Sequence, residues 1–351
     1  MLLRSSPSQR DYCRAVSRMG WSMLLFIGLF YAINIPAEIL AQSSATLSDP
    51  RLRGLLTVVS GVVSTLAYMA PFIGAGVFYL LLSKKAVTQR IRLELTMPPQ
   101  FPLLVLAGLA IITVGSYINA YFCTFIGFIQ AQESVPAINY TNPANVINYM
   151  TTAIAPAFAE EFLFRGVYYS NLRPYGRTQA VLISALLFAL MHQNPAQIIY
   201  TFVAGVVMAM MYELTGSIWC SIIFHLLNNE LAVMTEILIN GKYGEGAYRG
   251  LYALDLVEVV LGISALILLL VLYRNRLPKR HRRSPRGARL YKEGREVPSE
   301  EGSVSMGYRA ASPLSSWRAL FTPGMIVFAS VVTGFMTIEW IAVLIKNAVG
   351  G

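Results

Sequence analysis

The stretch Ile154-Ala-Pro-Ala-Phe-Ala-Glu-Glu-Phe-Leu-Phe-Arg165 places two adjacent carboxylates, Glu160 and Glu161, inside an apolar run. The run extends on both sides far enough to cross a membrane, since about 20 apolar residues span the hydrocarbon as a helix. An ionisable side chain at that depth is energetically costly, and such residues mark functional sites. The stretch therefore predicts both a transmembrane helix and a site within it.

The composition of the 351-residue chain is that of a polytopic membrane protein. Hydrophobic residues make up 55% of the sequence and charged residues only 13%, and the mean hydropathy is +0.54. We predict an all-α fold, a polytopic transmembrane helix bundle of about eight to nine spans. The candidate spans lie at about 20–40, 55–83, 101–130, 148–171, 178–197, 198–214, 217–238, 251–273 and 323–346.

These runs divide the chain into five regions. Residues 1–147 hold three N-terminal spans, 148–238 form a core of four spans, and 239–273 hold one further span. A basic linker follows at 274–322, and a last span lies within 323–351. All the polar motifs discussed below as candidates for catalysis fall in the core.

The basic residues between the spans predict the orientation of the chain in the membrane. Most of the 28 Lys and Arg residues lie before the first span, between Lys84 and Arg92, and between Arg274 and Arg318. These segments share one side if the spans alternate in direction, and cytoplasmic loops are enriched in Lys and Arg. We therefore expect a multi-pass integral membrane protein with a cytoplasmic N-terminus. The membrane would be the bacterial plasma membrane, or the endoplasmic reticulum membrane if the source is a eukaryote.

The first 19 residues are polar and basic, without an apolar stretch, so the first span is expected to be an uncleaved anchor. The net charge of +10 does not point to nucleic acid, because the basic linker lacks aromatic interleaving and a folded basic module. Lipid headgroups are its expected partners.

Cys13, Cys123 and Cys220 are expected to be free thiols. Asn139-Tyr-Thr141 is a glycosylation sequon, which matters only in a eukaryote.

The motif Glu160-Glu161-x-x-x-Arg165 predicts different roles for its two carboxylates. Glu161 and Arg165 stand four residues apart on one helix face, in the order that favours an ion pair. Glu160 points about 100° away, and an unpaired carboxylate in a low-dielectric interior readily takes up a proton. We therefore predict Glu160 as a general base for water and Arg165 as the group that holds Glu161. The alternative is a structural cluster that joins two helices.

Two later spans each contribute a histidine. His192 ends Phe188-Ala-Leu-Met-His192, so the Phe188 ring shares its face one turn earlier and could wall the imidazole. In His225-Leu-Leu-Asn-Asn229 a ring and an amide share one face, where they could stabilise an oxyanion. The alternatives are a packed core histidine at His192 and an interhelical polar clasp at His225 and Asn229.

A depth estimate connects these residues. Counting about 1.5 Å per residue from the cytoplasmic span ends places Glu160, His192, His225 and Asn229 at roughly 12–21 Å, in one central layer. Pro156, one turn before Glu160, removes a helix hydrogen bond and could open the span, although an ordinary kink is equally consistent.

Two further carboxylates, Asp255 and Glu258, interrupt the apolar run at 251–273. They lie near its predicted outer end, so we interpret them as interfacial.

The order and spacing of the core motifs resemble the CPBP family of intramembrane proteases. The resemblance is carried by Glu-Glu-x-x-x-Arg at 160–165, Phe-x-x-x-His at 188–192 and Leu-Thr-Gly-Ser-Ile-Trp-Cys-Ser-Ile-Ile-Phe-His-Leu-Leu-Asn-Asn at 214–229. That family joins the type II CAAX prenyl endopeptidases, or Ras-converting enzymes, to bacterial bacteriocin-processing and immunity-associated proteins, also called the Abi family. The resemblance covers about 150–235, under a third of the chain.

The resemblance implies that Glu160 and His192 activate the attacking water, and that His225 and Asn229 form the oxyanion hole. Glu161 and Arg165 would fill the family's supporting positions. It also implies a peptide or protein substrate, lipidated or not. The basic linker and the last span depart from the family's usual size, which leaves the substrate open.

The family has been described both as metal-dependent and as glutamate-type, and the residues allow both mechanisms. Glu160, His192 and His225 could bind Zn²⁺ and leave a fourth position open. However, His-Glu-x-x-His is absent, and a glutamate committed to a metal could not act as the free base. We therefore favour a mechanism without a metal or other cofactor, with zinc as the alternative.

Two other classes of function use the same residues. One is a non-catalytic membrane protein, an immunity factor or chaperone that binds a peptide in the helical core. The other is a proton-coupled transporter with the Glu and His residues as its relay. A binding groove does not need an unpaired base, and a transporter would more often show paired repeats with broken helices. The sequence therefore favours an intramembrane endopeptidase of the CAAX or bacteriocin-processing type.

Overall fold

The structure is a computed structural model that describes residues 9–45, 48–84, 91–128, 149–240, 245–274 and 318–349. These ranges are mainly helical and contain no strand. The regular helices are α1 Gln9–Ala45, α2 Pro50–Ser83, α3 Phe101–Phe125, α5 Arg177–Met191, α6 Ile198–Thr215, α7 Ile218–Asn240, α8 Glu245–Arg274 and α9 Pro323–Val349. Helix α4, between α3 and α5, is a composite described below.

Seven helices in the described part of the chain are long and apolar enough to cross a membrane. They are α1, α2, α3, α6, α7, α8 and α9. The prediction of an all-α, polytopic membrane bundle is thus confirmed. The sequon at Asn139 and most of the basic linker fall outside the described residues. Cys13, Cys123 and Cys220 are free.

Helix α4, residues 150–175, occupies the predicted span 148–171 and changes its hydrogen-bonding pattern along its length. Its segments are π-helical Met150–Ile154, α-helical Ala155–Glu161, π-helical Phe162–Tyr169, α-helical Ser170–Leu172 and 3₁₀-helical Arg173–Tyr175. Pro156 stands just after the first change, where its missing N–H removes a backbone donor. Glu160 and Glu161 end the short α-helical segment, between two π segments. Such π segments are frequent at functional sites.

The predicted span at 178–197 is wrong as a continuous helix. Helix α5 has 15 residues and ends at Met191, with His192 as its C-cap. Gln193 then adopts a left-handed φ of 52°, and Pro195–Gln197 forms a 3₁₀ turn. The physical reason is the Asn194-Pro195 pair, because the residue before a proline avoids the α conformation. The break leaves His192 at a helix end.

A buried amide from α3 secures this break. Asn119 Oδ1 accepts hydrogen bonds from the backbone N–H groups of Ile199 and Tyr200, both at 3.2 Å. Its Nδ2 donates to the carbonyl of Ala196. The first N–H groups of a helix have no partner within the helix, so Asn119 caps α6 from another helix.

Helix α4 packs against α2, α5 and α6. Thr65 in α2 shares a 2.6 Å hydrogen bond with Thr151, and the rings of Tyr79 and Tyr168 lie 5.6 Å apart. Ser184 in α5 donates to the Phe164 carbonyl at 3.0 Å. The helix that carries both glutamates is thereby fixed at several levels.

A non-helical segment, residues 91–98, crosses the start of α7. The carbonyl of Arg92 accepts a hydrogen bond from the Ile218 N–H at 3.1 Å. The carbonyl of Glu94 accepts one from Ser217 Oγ at 2.6 Å, and that of Leu93 accepts one from Trp219 Nε1 at 3.0 Å. The segment therefore fixes the end of α7 that leads to His225.

The first and last helices pack through glycines. A Cβ added at Gly20 in α1 would lie 2.3 Å from the backbone carbon of Gly324 in α9. The Gly324 N–H also donates to Ser17 Oγ at 3.2 Å. Small residues allow such close approach of helices in membranes.

Basic residues gather at one end of the bundle. The Tyr12 ring lies 5.4 Å from the Tyr175 ring, and Gly324 contacts Ser17, so the starts of α1 and α9 and the end of α4 are neighbours. The basic residues at or next to these helix ends are Arg10, Arg14 and Arg18 in α1, Arg173 in α4, Arg177 at the start of α5, and Arg318 before α9.

Two carboxylates of α8, Asp255 and Glu258, join it to α3. Tyr117 donates to Asp255 at 2.7 Å, and Thr113 donates to Glu258 at 2.5 Å. Asp255 and Glu258 therefore have hydrogen-bonding roles between two helices.

Replacement of Asn119 by Ala should lower the free energy of unfolding by about 2 kcal/mol. Two N–H groups lose their partner, and the Ala196 carbonyl retains the weaker Cys123 thiol donor at 3.6 Å. Chemical or thermal unfolding of the detergent-solubilised protein measures the change. As a control, Ser264→Ala removes a hydroxyl that donates to the Val260 carbonyl of its own helix, and it should change stability by less than about 0.5 kcal/mol. Equal stability of Asn119→Ala and the wild type would contradict the capping role.

Candidate active site

The predicted site residues converge from α4, the end of α5, and α7, and helix α2 adds a tyrosine. Glu160, Glu161 and Arg165 come from α4, and His192 follows α5. His225 and Asn229 lie on one face of α7, four residues apart.

Glu161 is fully buried and receives hydrogen bonds on both oxygens. Its Oε1 accepts from Arg165 Nη1 at 2.6 Å and from His225 Nδ1 at 3.0 Å. Its Oε2 accepts from Ser221 Oγ at 2.5 Å. Such a carboxylate is held as the anion by its partners and has little freedom to move.

Arg165, also fully buried, extends this network to α5 and α6. Its Nη2 donates to the Gly205 carbonyl in α6 at 3.0 Å. Its guanidinium carbon lies 4.8 Å from the centre of the Phe188 ring in α5, a cation–π distance. A planar guanidinium with several donors can make all these contacts at once, whereas an ammonium could not.

Glu160 is 3% exposed and lies in a different environment. Its Oε1 accepts a 2.5 Å hydrogen bond from the Tyr68 hydroxyl. Its Oε2 lies 3.9 Å from His225 Nε2, beyond hydrogen-bonding distance. Within the described part of the chain Oε2 has no hydrogen-bond donor, so this oxygen remains open to water or substrate.

His192 is oriented by the helix that it ends. Its Nδ1 lies 2.9 Å from the Phe188 carbonyl, so Nδ1 carries the hydrogen and Nε2 is the nitrogen left for other partners. The ring interacts electrostatically with Glu160 and His225.

The Phe188 ring lies close to both imidazoles. Its centroid is 5.0 Å from that of His192 and 6.0 Å from that of His225. Phe188 therefore packs against His192, as the sequence suggested, and it contacts the second histidine as well.

His225 lies between the two carboxylates. Its Nδ1 donates to Glu161, while Nε2 faces Glu160 Oε2. Asn229 is half-buried, and its Nδ2 donates to the Ala153 carbonyl in the first π segment at 3.2 Å. One N–H of this amide is thus engaged, and the second is available for a substrate oxygen.

Tyr68 and Ser221 are site residues that we did not identify from the sequence. Ser221 stands four residues before His225, so helical spacing alone placed it on the same face. Tyr68 is one of several hydroxyl-bearing residues within the apolar run of α2 and belongs to no motif. No local pattern relates it to Glu160, from which 92 residues separate it.

The expected alternative cofactor, zinc, has no preformed site in the described ranges. There, no group of three or more His, Cys, Asp or Glu residues has a geometry that could hold a metal ion. His225 Nδ1 is committed to Glu161, and Glu160 Oε1 is committed to Tyr68. The other donor atoms of these residues, His225 Nε2, Glu160 Oε2 and His192 Nε2, form no such group in the described ranges. Binding of Zn²⁺ by Glu160, His192 and His225 would therefore require these side chains to move, and the metal-free mechanism stays a prediction.

The comparison with protein families concerns this same region. The family model described as Type II CAAX prenyl endopeptidase Rce1-like matches residues 142–231, about a quarter of the chain. No curated protein and no solved structure matches the chain. The family match confirms the resemblance to CPBP proteases over the motif region. It supports a CAAX-type intramembrane endopeptidase, a hydrolase, at the level of the family.

Removal of either partner of the buried ion pair should destabilise the protein by about 3–5 kcal/mol, because an uncompensated charge stays buried. The variants are Glu161→Gln and Arg165→Met. The double variant should lose clearly less stability than the sum of the two, because it leaves no unpaired charge. Denaturant titration in detergent measures all three, and strict additivity would contradict the pairing.

Proposed function

Because the motif region resembles the CAAX-type endopeptidases, we propose that this protein hydrolyses a peptide bond within or at the edge of the membrane. Glu160 is the general base in this proposal. The observation that carries it is the environment of Glu160: a buried carboxylate with one oxygen fixed and the other without a donor, beside two histidines. A base must lie within hydrogen-bond reach of the water that it activates.

The proposed reaction begins with a water molecule placed between Glu160 Oε2 and His192 Nε2. Glu160 takes one proton from the water, whose oxygen attacks the peptide carbonyl carbon. His192 orients the water through its free nitrogen. After the tetrahedral intermediate forms, Glu160 returns the proton to the departing amine, and the C–N bond breaks.

His225 and Asn229 stabilise the oxyanion of that intermediate in the proposal. A histidine whose Nδ1 donates to Glu161 can donate through Nε2 only when both nitrogens carry hydrogens, which makes the ring a cation. The buried cluster would then hold two carboxylates, Arg165 and an imidazolium, so its charges balance. Balanced charges reduce the cost of burial, and a preorganised donor is effective in such an environment.

The proposed substrate is a peptide or protein of the CAAX or bacteriocin-processing type, and the catalytic type is glutamic, without a required metal. The helices must open locally to admit an extended segment. Irregular backbone at membrane depth is tolerated where it is enclosed by protein or lines a water-filled cavity. The π segments of α4 and the break after His192 are the irregular parts of the site.

The proposed orientation places the N-terminus in the cytoplasm, as supported by the clustering of basic helix ends at one end of the bundle. Reporter fusions should report a cytoplasmic N-terminus and an external connection between α1 and α2. The reverse pattern would contradict this orientation and would leave the hydrolytic proposal intact.

Glu160→Gln should reduce proteolysis of a candidate peptide library by at least about a thousandfold, because the amide cannot accept the proton. The matched control is Glu258→Gln, since Glu258 also accepts a 2.5 Å hydrogen bond from a hydroxyl in another helix. That variant should cleave at the wild-type rate. Wild-type activity in Glu160→Gln would refute the general-base role.

Chelation by a membrane-permeable metal chelator should leave wild-type cleavage unchanged if the mechanism is glutamic. The measurement is the initial rate before and after treatment, with subsequent addition of Zn²⁺. Loss of cleavage on chelation and its recovery with Zn²⁺ would overturn the metal-free mechanism in favour of the zinc alternative.

A further inference from the structure

Tyr68 contacts the proposed base from a part of the chain that the family match does not cover. Its hydroxyl donates to Glu160 Oε1 at 2.5 Å, whereas the family model matches only residues 142–231. The contact joins α2 to α4. It is a hydrogen bond to a carboxylate, a type stronger than one between neutral groups.

The Tyr68 ring is held by aromatic neighbours. It lies 5.3 Å from the Phe72 ring and 6.3 Å from the Phe30 ring of α1. One turn earlier on α2, Thr65 bonds to Thr151 in α4. The hydroxyl is therefore presented to Glu160 by a side chain with little freedom, on a helix whose register against α4 is fixed.

We propose that Tyr68 is a positioning residue for the hydrolysis, which it serves by holding one oxygen of Glu160 so that the other faces the water. The inference rests on the proposed role of Glu160 as the base. A carboxylate attached by a flexible side chain can rotate and exchange its oxygens. The bond at Oε1 restricts that rotation and leaves Oε2 on the side of His225 Nε2.

The groups that interact with Glu160 are Tyr68 from α2, His225 from α7, His192 at the end of α5, and Arg165 on α4 itself. Of these four groups, Arg165 is cationic, and His192 and His225 can become so. Tyr68 is neutral, so its hydroxyl can be removed without changing the net charge of the site.

The test is Tyr68→Phe, which keeps the ring and its packing on Phe30 and Phe72. We expect kcat to fall about tenfold, the size expected for the loss of one hydrogen bond to a charged group. KM should stay within about twofold of the wild-type value, because the ring contacts are preserved.

The matched control is Tyr79→Phe, which removes a hydroxyl from the same helix. Tyr79 is fully buried and packs on Tyr168, so this variant should keep both the wild-type kcat and the wild-type KM. Thermal unfolding of both variants separates folding defects from effects on the reaction.

The outcomes distinguish this inference from the proposed function. If Glu160→Gln cleaves at the wild-type rate, the proposed function fails, and the role of Tyr68 fails with it. If Glu160→Gln is inactive while Tyr68→Phe retains the wild-type kcat, only the role of Tyr68 is overturned. A lower kcat accompanied by a KM more than twofold above the wild-type value, or by a lower melting temperature, would also overturn it, since packing would then explain the loss.

Discussion

The ion pair between Glu161 and Arg165 is the constraint on which the rest of the site depends. Both side chains are fully buried, and a buried charge is tolerated only when it is paired and hydrogen-bonded. Meeting that requirement draws in Ser221 and His225 from α7, the Gly205 carbonyl from α6 and the Phe188 ring from α5. Four helices are thus arranged around one pair of charges, and the two histidines are placed as a consequence.

The division of labour between the two glutamates follows from this arrangement. Both oxygens of Glu161 are engaged in hydrogen bonds, so it cannot also accept a proton from water. Glu160, one residue earlier, points toward α2, where Tyr68 engages a single oxygen. The site therefore depends on α2 as well as on α5, α6 and α7. The region that resembles the proteases supplies the charged residues, and the N-terminal helices supply part of their surroundings.

Local patterns in the sequence predicted the local features of the site, and they failed where distant segments meet. The spacing of Glu161 and Arg165 predicts the ion pair that the structure contains, and the spacing of His225 and Asn229 predicts their shared face. The break after His192 was signalled by Asn194-Pro195, but the apolar run obscured it.

Tyr68 and Asn119 gave no signal, because in a membrane a lipid-facing surface is as apolar as a buried one. Hydrophobic periodicity therefore cannot reveal which face of α2 or α3 meets the site. Asn229 contacts the Ala153 carbonyl in a π segment, whose position the pattern also did not predict.

The glycine contact between α1 and α9 has a consequence for the biogenesis of the protein. Ser17 and Gly324, which the contact joins, are 307 residues apart in sequence. A ribosome that makes this chain completes α1 long before α9 exists, so the glycine-lined face of α1 first meets lipid or other helices. Membrane insertion of the first helix and completion of the fold are therefore separate events in time. The interval between them is a period in which this face is open to incorrect partners.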